Sequence, residues 1–346
     1  MGDKMMKIED IARLANVSKS AVSLALNGKK GISEKTRDKI LRIADENGYM
    51  HKSSTSEKMK FSKLTVRFLV VTDTSFMQEQ YEKKPFFSEL IQSVQEQCAQ
   101  FGCELTLSTM DLKSLLENKF EYTAADQDGV ILLGTNLTKE QILLIKNQFS
   151  KLVVLDTLVP ELEVDFVVMN NRMGIFQAVQ HLVDLGHKNV GYIKSEERIP
   201  NLDERQESFK QAVERYGLDN SFVKYQLTSN HIGINRSFQK WIEKIQQEGN
   251  APTALLCEND YLAISTIKSL IDMGIRVPEQ VSVIGFDNIN ESVVITPELT
   301  TIHVDKQQMA AMAVRRLNSL IREEEMSIKV MVDTKLIFRK STIGME

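Results

Sequence analysis

Two sets of residues in this chain have types and spacings that could do chemistry. The first is a small polar face made of Lys19, Ser20, Ser23 and Asn27, with Lys29 and Lys30 just beyond it. Residues three and four apart share one side of a helix. Hydroxyls and an amide would therefore stand together beside cationic groups, which suits hydrogen bonds to base edges and to phosphates. The second set is a series of polar residues that each follow an apolar run. Asp73 follows 68–71, Asp156 follows 152–155, and Asn170-Asn171 follows 166–169; then come Ser195, Glu258-Asn259-Asp260 and Asp287-Asn288. If those runs are parallel strands, their polar followers gather beyond the carboxyl ends, where ligands of α/β sheets sit. Converging carboxylates and amides with no Cys/His cluster suit a polyhydroxylated ligand held by hydrogen bonds, with no metal and no cofactor. Taken singly, the same residues also read as turn residues or helix caps, and Asp260 as the N-cap of a helix over 261–273.

The elements that would carry the first set lie in residues 7–49. Ile8, Ile11, Ala12 and Ala15 recur with helical spacing. Asn16-Val17-Ser18 makes a tight turn, in which Asn tolerates a left-handed backbone and Ser18 caps the next helix. Val22, Ala25 and Leu26 form the inner face of that second helix, and Asn27-Gly28 ends it. Ser33 opens a third helix with Ile40, Ile43 and Ala44 facing inward, and Gly48 closes it. Three short helices with a three-residue turn between the first two make the arrangement that lays its second helix in the major groove. A plain three-helix bundle has the same periodicity, so the polar outer face is what favours DNA. Charge agrees: residues 1–60 carry 13 Lys/Arg against 8 Asp/Glu, and the rest 30 against 39. A basic head on an acidic body puts any polyanion at the head.

Residues 50–63, rich in Ser and Lys, read as a linker. From Leu64 onward, short β-branched runs alternate with amphipathic stretches such as 87–101, 202–216 and 232–247. That alternation predicts parallel sheets covered by helices, and its length predicts two lobes. At 346 residues, 42% hydrophobic and 26% charged, the chain suits two or three globular domains. No apolar run reaches the roughly 18 residues of a membrane span. Residues 1–7 lack the apolar core of a secretory signal, so the expected compartment is the cytoplasm, with Cys98, Cys103 and Cys257 as reduced thiols. Dinucleotide, P-loop, nucleophile-elbow and HExxH motifs are all missing, which argues against an enzyme.

At this point a resemblance takes over. Lys7-Ile8-Glu9-Asp10-Ile11-Ala12-Arg13-Leu14-Ala15-Asn16-Val17-Ser18 and Ala21-Val22-Ser23-Leu24-Ala25-Leu26-Asn27-Gly28 resemble the opening of lactose/galactose-repressor (LacI/GalR-type) regulators. Ile32–Arg37 and Asn47-Gly48-Tyr49 continue it. In the body, Pro85-Phe86-Phe87-Ser88-Glu89-Leu90, Leu185-Gly186-His187, Val281–Asn288, Pro297–Ile302 and Arg339-Lys340-Ser341 extend the likeness over nearly the whole chain.

The resemblance implies an all-α helix-turn-helix head over 1–49, an atypical hinge over 50–63, and a periplasmic-binding-protein-like α/β core of two doubly wound parallel-sheet lobes. The lobes would be 64–166 with 306–326, and 167–305 with 327–346. It implies a transcription regulator, a repressor, whose operator affinity is set by a sugar bound between the lobes. The partners it implies are a near-palindromic DNA site and a second copy of the chain. A body that answers to a protein co-regulator, or an exported solute receptor, are the rival readings. Lys19, Ser20 and Leu24 match positions that face bases, and Ser18, Ser23 and Asn27 match phosphate contacts. Lys7, Lys29, Ser33 and Tyr49 complete the DNA-contacting set. Arg205, Asn259 and Asp287 match effector-bonding positions, Phe86 and Phe87 would stack on a ring, and Asp73, Asp156 and Asn170 are further candidates.

Several positions depart from the family pattern. Leu24 stands where arginine is common, and either touches a thymine methyl or packs on a neighbouring helix. The linker lacks the usual Pro-Asn…Ala-Arg-x-Leu segment, with Met59 as a candidate substitute for the leucine that wedges into the minor groove. Between Asp73 and Pro85 the chain is longer than the family norm, adding Tyr81-Glu82-Lys83-Lys84 as a solvated loop or a lid.

Overall fold

The computed structural model describes residues 8–26, 31–33, 36–37, 39–40, 43–44, 64–74, 81, 84–121, 124–218, 224–228, 232–323 and 326–345. Lys7, Asn27, Lys29, Tyr49, the linker with Met59, and residues 75–80 and 82–83 lie outside the described set. The chain divides into two compact units, 1–62 and 63–346.

In the first unit, α1 (Ile8–Ala15) and α2 (Lys19–Leu26) are joined by the turn expected from the sequence. Asn16 adopts φ 54°, and the Ser18 hydroxyl accepts from the Ala21 amide at 3.1 Å. Residues 36–37, 39–40 and 43–44 are helical, and Ser33 accepts from the Thr36 amide at 3.2 Å. Ile11, Ala12, Ala15, Val22, Ala25, Ile40 and Ala44 close into one small core.

The second unit holds two six-stranded sheets. In order, the first is β11 (Lys329–Val332), β5 (Asp165–Met169), β4 (Leu152–Leu155), β3 (Gly129–Leu133), β1 (Thr65–Thr72) and β2 (Glu104–Asp111). All of its pairs are parallel. The second is β12 (Lys335–Ile337), β10 (Thr300–His303), β9 (Ser282–Asp287), β8 (Ala254–Cys257), β6 (Val190–Ser195) and β7 (Lys224–Thr228), antiparallel only at β12. Central strands buried on both faces read as unbroken apolar runs, as Val153, Val154 and Leu155 do in β4. Strand order reverses between β3 and β1 in one sheet, and between β8 and β6 in the other. Both reversals open a crevice at the carboxyl ends, the place where α/β folds bind ligands.

Among the described residues eight helices pack on the sheets: α3 (Pro85–Gln100), α4 (Leu112–Leu116), α5 (Lys139–Gln148), α6 (Asn171–Asp184), α7 (Pro200–Arg215), α8 (Arg236–Gln247), α9 (Asp260–Asp272) and α10 (Lys306–Arg322). The chain crosses between the sheets three times, after β5, after β10 and between β11 and β12. The lobe limits therefore differ from those expected. Strands β5 and β11 both belong to the first sheet, so the crossings fall after Met169 and Val332 rather than at 166 and 326. The physical reason is that all of β11 pairs with β5, from Lys329 with Phe166 to Val332 with Met169.

Candidate functional site

The carboxyl ends of both sheets face one cavity. It is lined by Lys84, Phe86 and Phe87 from the start of α3; by Thr135, Asp156 and Met169 after β3, β4 and β5; and by Ile199, Asn201, Leu202, Arg205, Asn259, Tyr261 and Asp287 from the second lobe. Of the residues singled out from the sequence, Phe86, Phe87, Asp156, Arg205, Asn259 and Asp287 are together here. Asp73 and Asn170 are not among the lining residues. Asp73 is exposed at the end of β1, with φ 58°.

Asn170 sits at the hinge instead. Its side chain accepts from the Met173 amide at 3.0 Å, capping α6, and donates to Asp333 at 3.0 Å. Its backbone nitrogen donates to Val332 and its carbonyl accepts from Thr334, so it ties the first crossing to the third. The neighbouring Asn171, fully buried, is the one that reaches Arg205. Asp260 also departs from expectation. Asn259 is the cap of α9, accepting from the Leu262 amide at 3.0 Å. Asp260 is buried beneath it, accepting from Ile289 at 2.9 Å and Thr301 at 2.5 Å. Its extended predecessor leaves Asn259, not Asp260, with the non-helical backbone a cap needs.

Arg205 organises the second-lobe wall. Its Nε donates to Asn171 at 2.8 Å, Nη1 to the Glu258 carbonyl at 2.6 Å, and Nη2 to Asp287 at 3.1 Å. The guanidinium lies 3.6 Å above the Phe286 ring centre. A buried fork with this many partners is a fixed part of the wall, and its position is set by α7. Beside it Glu258 accepts from Ser195 and from Arg198 at 2.7 Å.

Bonds that cross the cleft hold the lobes together. Asn201 of α7 donates to the Asp156 carbonyl at 2.9 Å and its carboxylate at 3.0 Å. The Phe86 amide donates to the Tyr261 hydroxyl at 3.2 Å, and Lys306 donates to the Asp287 carbonyl at 3.1 Å. Lys306 also pairs with Glu89 at 3.0 Å, beside the second crossing. Asp156 and Asp287 adopt φ 65° and 109°, strained conformations for non-glycine residues that concentrate at binding sites. Thr135, Asn201, Tyr261 and Lys306 carried no signal in the sequence, whereas Lys84 closes the insertion expected there as a loop or a lid. Pro200 at the first turn of α7 is the one mark that could have pointed to Asn201.

Burial pushes the Asp156 carboxyl up to about 7 and the Asp260 carboxyl up to about 8. Burial raises Glu258 and Asp287 as well, against the pull of Arg198 and Arg205. In the unfolded chain aspartates release their protons near 4. Folding thus keeps protons that the unfolded chain loses, so this contribution to stability is complete below about pH 4 and is lost as pH rises through about 7 and 8. His181, His187 and His303, lowered by burial, act in the opposite sense, but only below about pH 6.5. Between pH 6.5 and 8 the urea unfolding free energy of the core is expected to fall, by up to about 1.4 kcal/mol per pH unit per carboxyl. Asp260→Asn is expected to flatten that slope; a profile that is flat or rising in the wild-type chain contradicts the assignment.

On the head, Lys19 and Ser20 are exposed at the start of α2, and Lys19 pairs with Glu9 at 2.6 Å. Ser23 and Leu24 are half-buried. Leu24 lies against Gly31, where an added Cβ would meet its Cδ1 at 3.2 Å.

Comparison with known proteins bears on both parts. Residues 7–51 match the family described as bacterial regulatory proteins, lacI family, and residues 179–342 match the periplasmic binding protein-like domain. The chain is 29% identical to the HTH-type transcriptional repressor PurR of Pasteurella multocida, over 97% of this chain and 98% of that one. Among solved structures it is similar to a lac repressor dimer bound to operator and the anti-inducer ONPF, with TM-score 0.68 at 20% identity, covering 98% and 100% of the two chains. It is also similar to a complex of the transcriptional regulator CelR with cellobiose, with TM-score 0.65 at 22% identity, covering 97% and 99%.

Proposed function

We propose, for a chain that belongs to the LacI family of bacterial regulatory proteins, that it binds operator DNA through α2 and that a sugar-class molecule in the cleft governs this binding. The observation that carries the reading is one chain holding both a polar-faced helix-turn-helix and a cavity closed by hydrogen bonds from two lobes. The chain acts as a repressor in the cytoplasm and is not an enzyme. No described helix is long and apolar enough to cross a membrane, and the relative with highest identity named above is a repressor.

Lys19 and Ser20 at the N-terminal end of α2 meet base edges, with Leu24 behind them, and Ser18, Ser23 and Ser33 meet phosphates; Lys7, Asn27, Lys29 and Tyr49 complete the interface. Two copies are needed, because a helix of this kind reads one half-site and a paired head reads two, about one DNA turn apart. In the cleft, Asp156, Asn259, Asp287 and Arg205 hold hydroxyls while Phe86 and Phe87 cover the ring face. Filling the cavity changes the bonds between Asn201 and Asp156 and between Phe86 and Tyr261, so it favours one lobe angle over another. Asn170 and Asp333, at the crossings, take up the change.

Fluorescence anisotropy with a duplex selected from random sequence by the full-length protein tests the DNA part. Lys19→Ala is expected to weaken binding about tenfold through the loss of a base-edge contact. Ser20→Ala is expected to relax base preference at one position per half-site. Unchanged affinity in both variants contradicts the placement of α2 in the groove.

A further inference from the structure

We infer that Arg198 is a positioning residue of the effector site. Paired with Glu258, it clamps the connection between β6 and α7 to the end of β8, and so sets where Ile199, Asn201 and Leu202 stand in the cleft. This inference rests on reading the cleft as the effector site. Arg198 does not line the cavity, but the residue after it does, followed by Asn201 and Leu202. One carboxylate holds the connection, residues 196–199, at both ends. Glu258 directly follows β8 and is fully buried. Its Oε2 accepts from the Ser195 amide, at the last residue of β6, at 2.7 Å. The Arg198 Nη1 donates to Oε1 at 2.9 Å and to Oε2 at 2.7 Å. The other side of the guanidinium faces α7, where Nε and Nη2 donate to Asp203 at 3.0 and 2.9 Å. One planar group thus ties the first turn of α7 to the end of β8.

Stability alone does not call for a charged pair here, because apolar residues of similar volume often stabilise a fold as much as a buried pair does. What the guanidinium adds is direction. Its planar fork meets Glu258 and Asp203 together in one arrangement of the connection, which a single flexible ammonium cannot reproduce. Burial pushes the Glu258 carboxyl up, and its bond with Arg198 is the largest pull in the other direction, so the two groups depend on each other. The consequence falls on the cleft. Asn201 reaches Asp156 across it, and both Asn201 and Leu202 lie between Arg198 and its partner Asp203 in the chain. Without the clamp these lining residues would be ordered only when a ligand arrives, and that ordering would lower affinity.

Isothermal titration of the full-length protein with ribose, glucose, galactose and cellobiose, paired with hydrogen exchange of the ligand-free chain, tests this. Arg198→Lys keeps a cation beside Glu258 but cannot hold Asp203 at the same time. A double variant, Arg198→Met with Glu258→Gln, removes both charges and leaves an oxygen for the Ser195 amide. Both proteins are expected to unfold cooperatively in urea and to bind the sugar taken by the wild type at least tenfold more weakly. Amides 199–205 are expected to exchange at least tenfold faster in both, with those of β8 and β9 unchanged. Affinity within twofold of wild type in both variants, or faster exchange spread evenly over the second lobe, overturns the inference. A wild type that takes none of the four sugars overturns the sugar reading of the cleft, and the exchange arm then still decides the clamp.

Discussion

Arg205→Met is expected to lower the unfolding free energy of the core by about 3–5 kcal/mol, the range for removing one partner of a buried ion pair. The loss does not come from the pair alone. Asp287, 6% exposed, would stay buried beside an apolar side chain, with Lys306 bonded to its carbonyl and not to its carboxylate. Asn171 and the Glu258 carbonyl would each lose a charged donor, and an abandoned buried acceptor costs about 1–3 kcal/mol. Methionine refills part of the volume and restores contact with Phe286, so the effect is electrostatic more than steric. Urea titration of the full-length chain reads it in the core transition. Adding Asp287→Asn to the variant is expected to recover part of the loss, because it removes the stranded charge. A single-variant loss below about 1 kcal/mol contradicts the central place given to Arg205.

Val22→Asp is expected to reduce operator affinity at least 100-fold while leaving the core's melting transition and its ligand heats unchanged. Val22 is fully buried in the small head core beside Ile11, Ala25 and Ile40. A carboxylate placed there finds no partner among the residues of that core, and burying an unpaired charge costs more than so small a module can bear. Since Val22 and Ala25 anchor α2 in this core, its polar face would no longer be presented as a rigid unit. The core is a separate compact unit and keeps its own transition. Operator binding within tenfold of wild type would show that α2 is not the reading element.

Much of this was legible in the sequence, and the reasons are physical. Apolar runs such as Val153-Val154-Leu155 mark strands buried on both faces, and the rule for carboxyl ends then gathers Asp156, Asn259 and Asp287 without any knowledge of pairing. What escaped was decided by single-residue steps or by long-range partners. Asn170 and Asn171 are adjacent, yet the start of α6 turns one to the hinge and the other to Arg205. The same step separates Asn259, which caps, from Asp260, which is buried. Asn201 meets Asp156 over 45 residues and Tyr261 meets Phe86 over 175, separations that periodicity does not encode. The lobe limits were missed because β11 is a four-residue edge strand, too short to announce which sheet it joins.

The account stands on coupling between cleft and head, so one measurement tests it most directly. Operator affinity of the full-length protein is followed by anisotropy while a sugar that binds the cleft is raised to saturation. The account predicts a change of at least fivefold, in either direction, and by reciprocity an equal change in sugar affinity when operator is saturating. Arg205→Met should abolish both changes together. Identical operator affinity with the cleft empty and full, in a protein whose binding to each partner is otherwise intact, would contradict it.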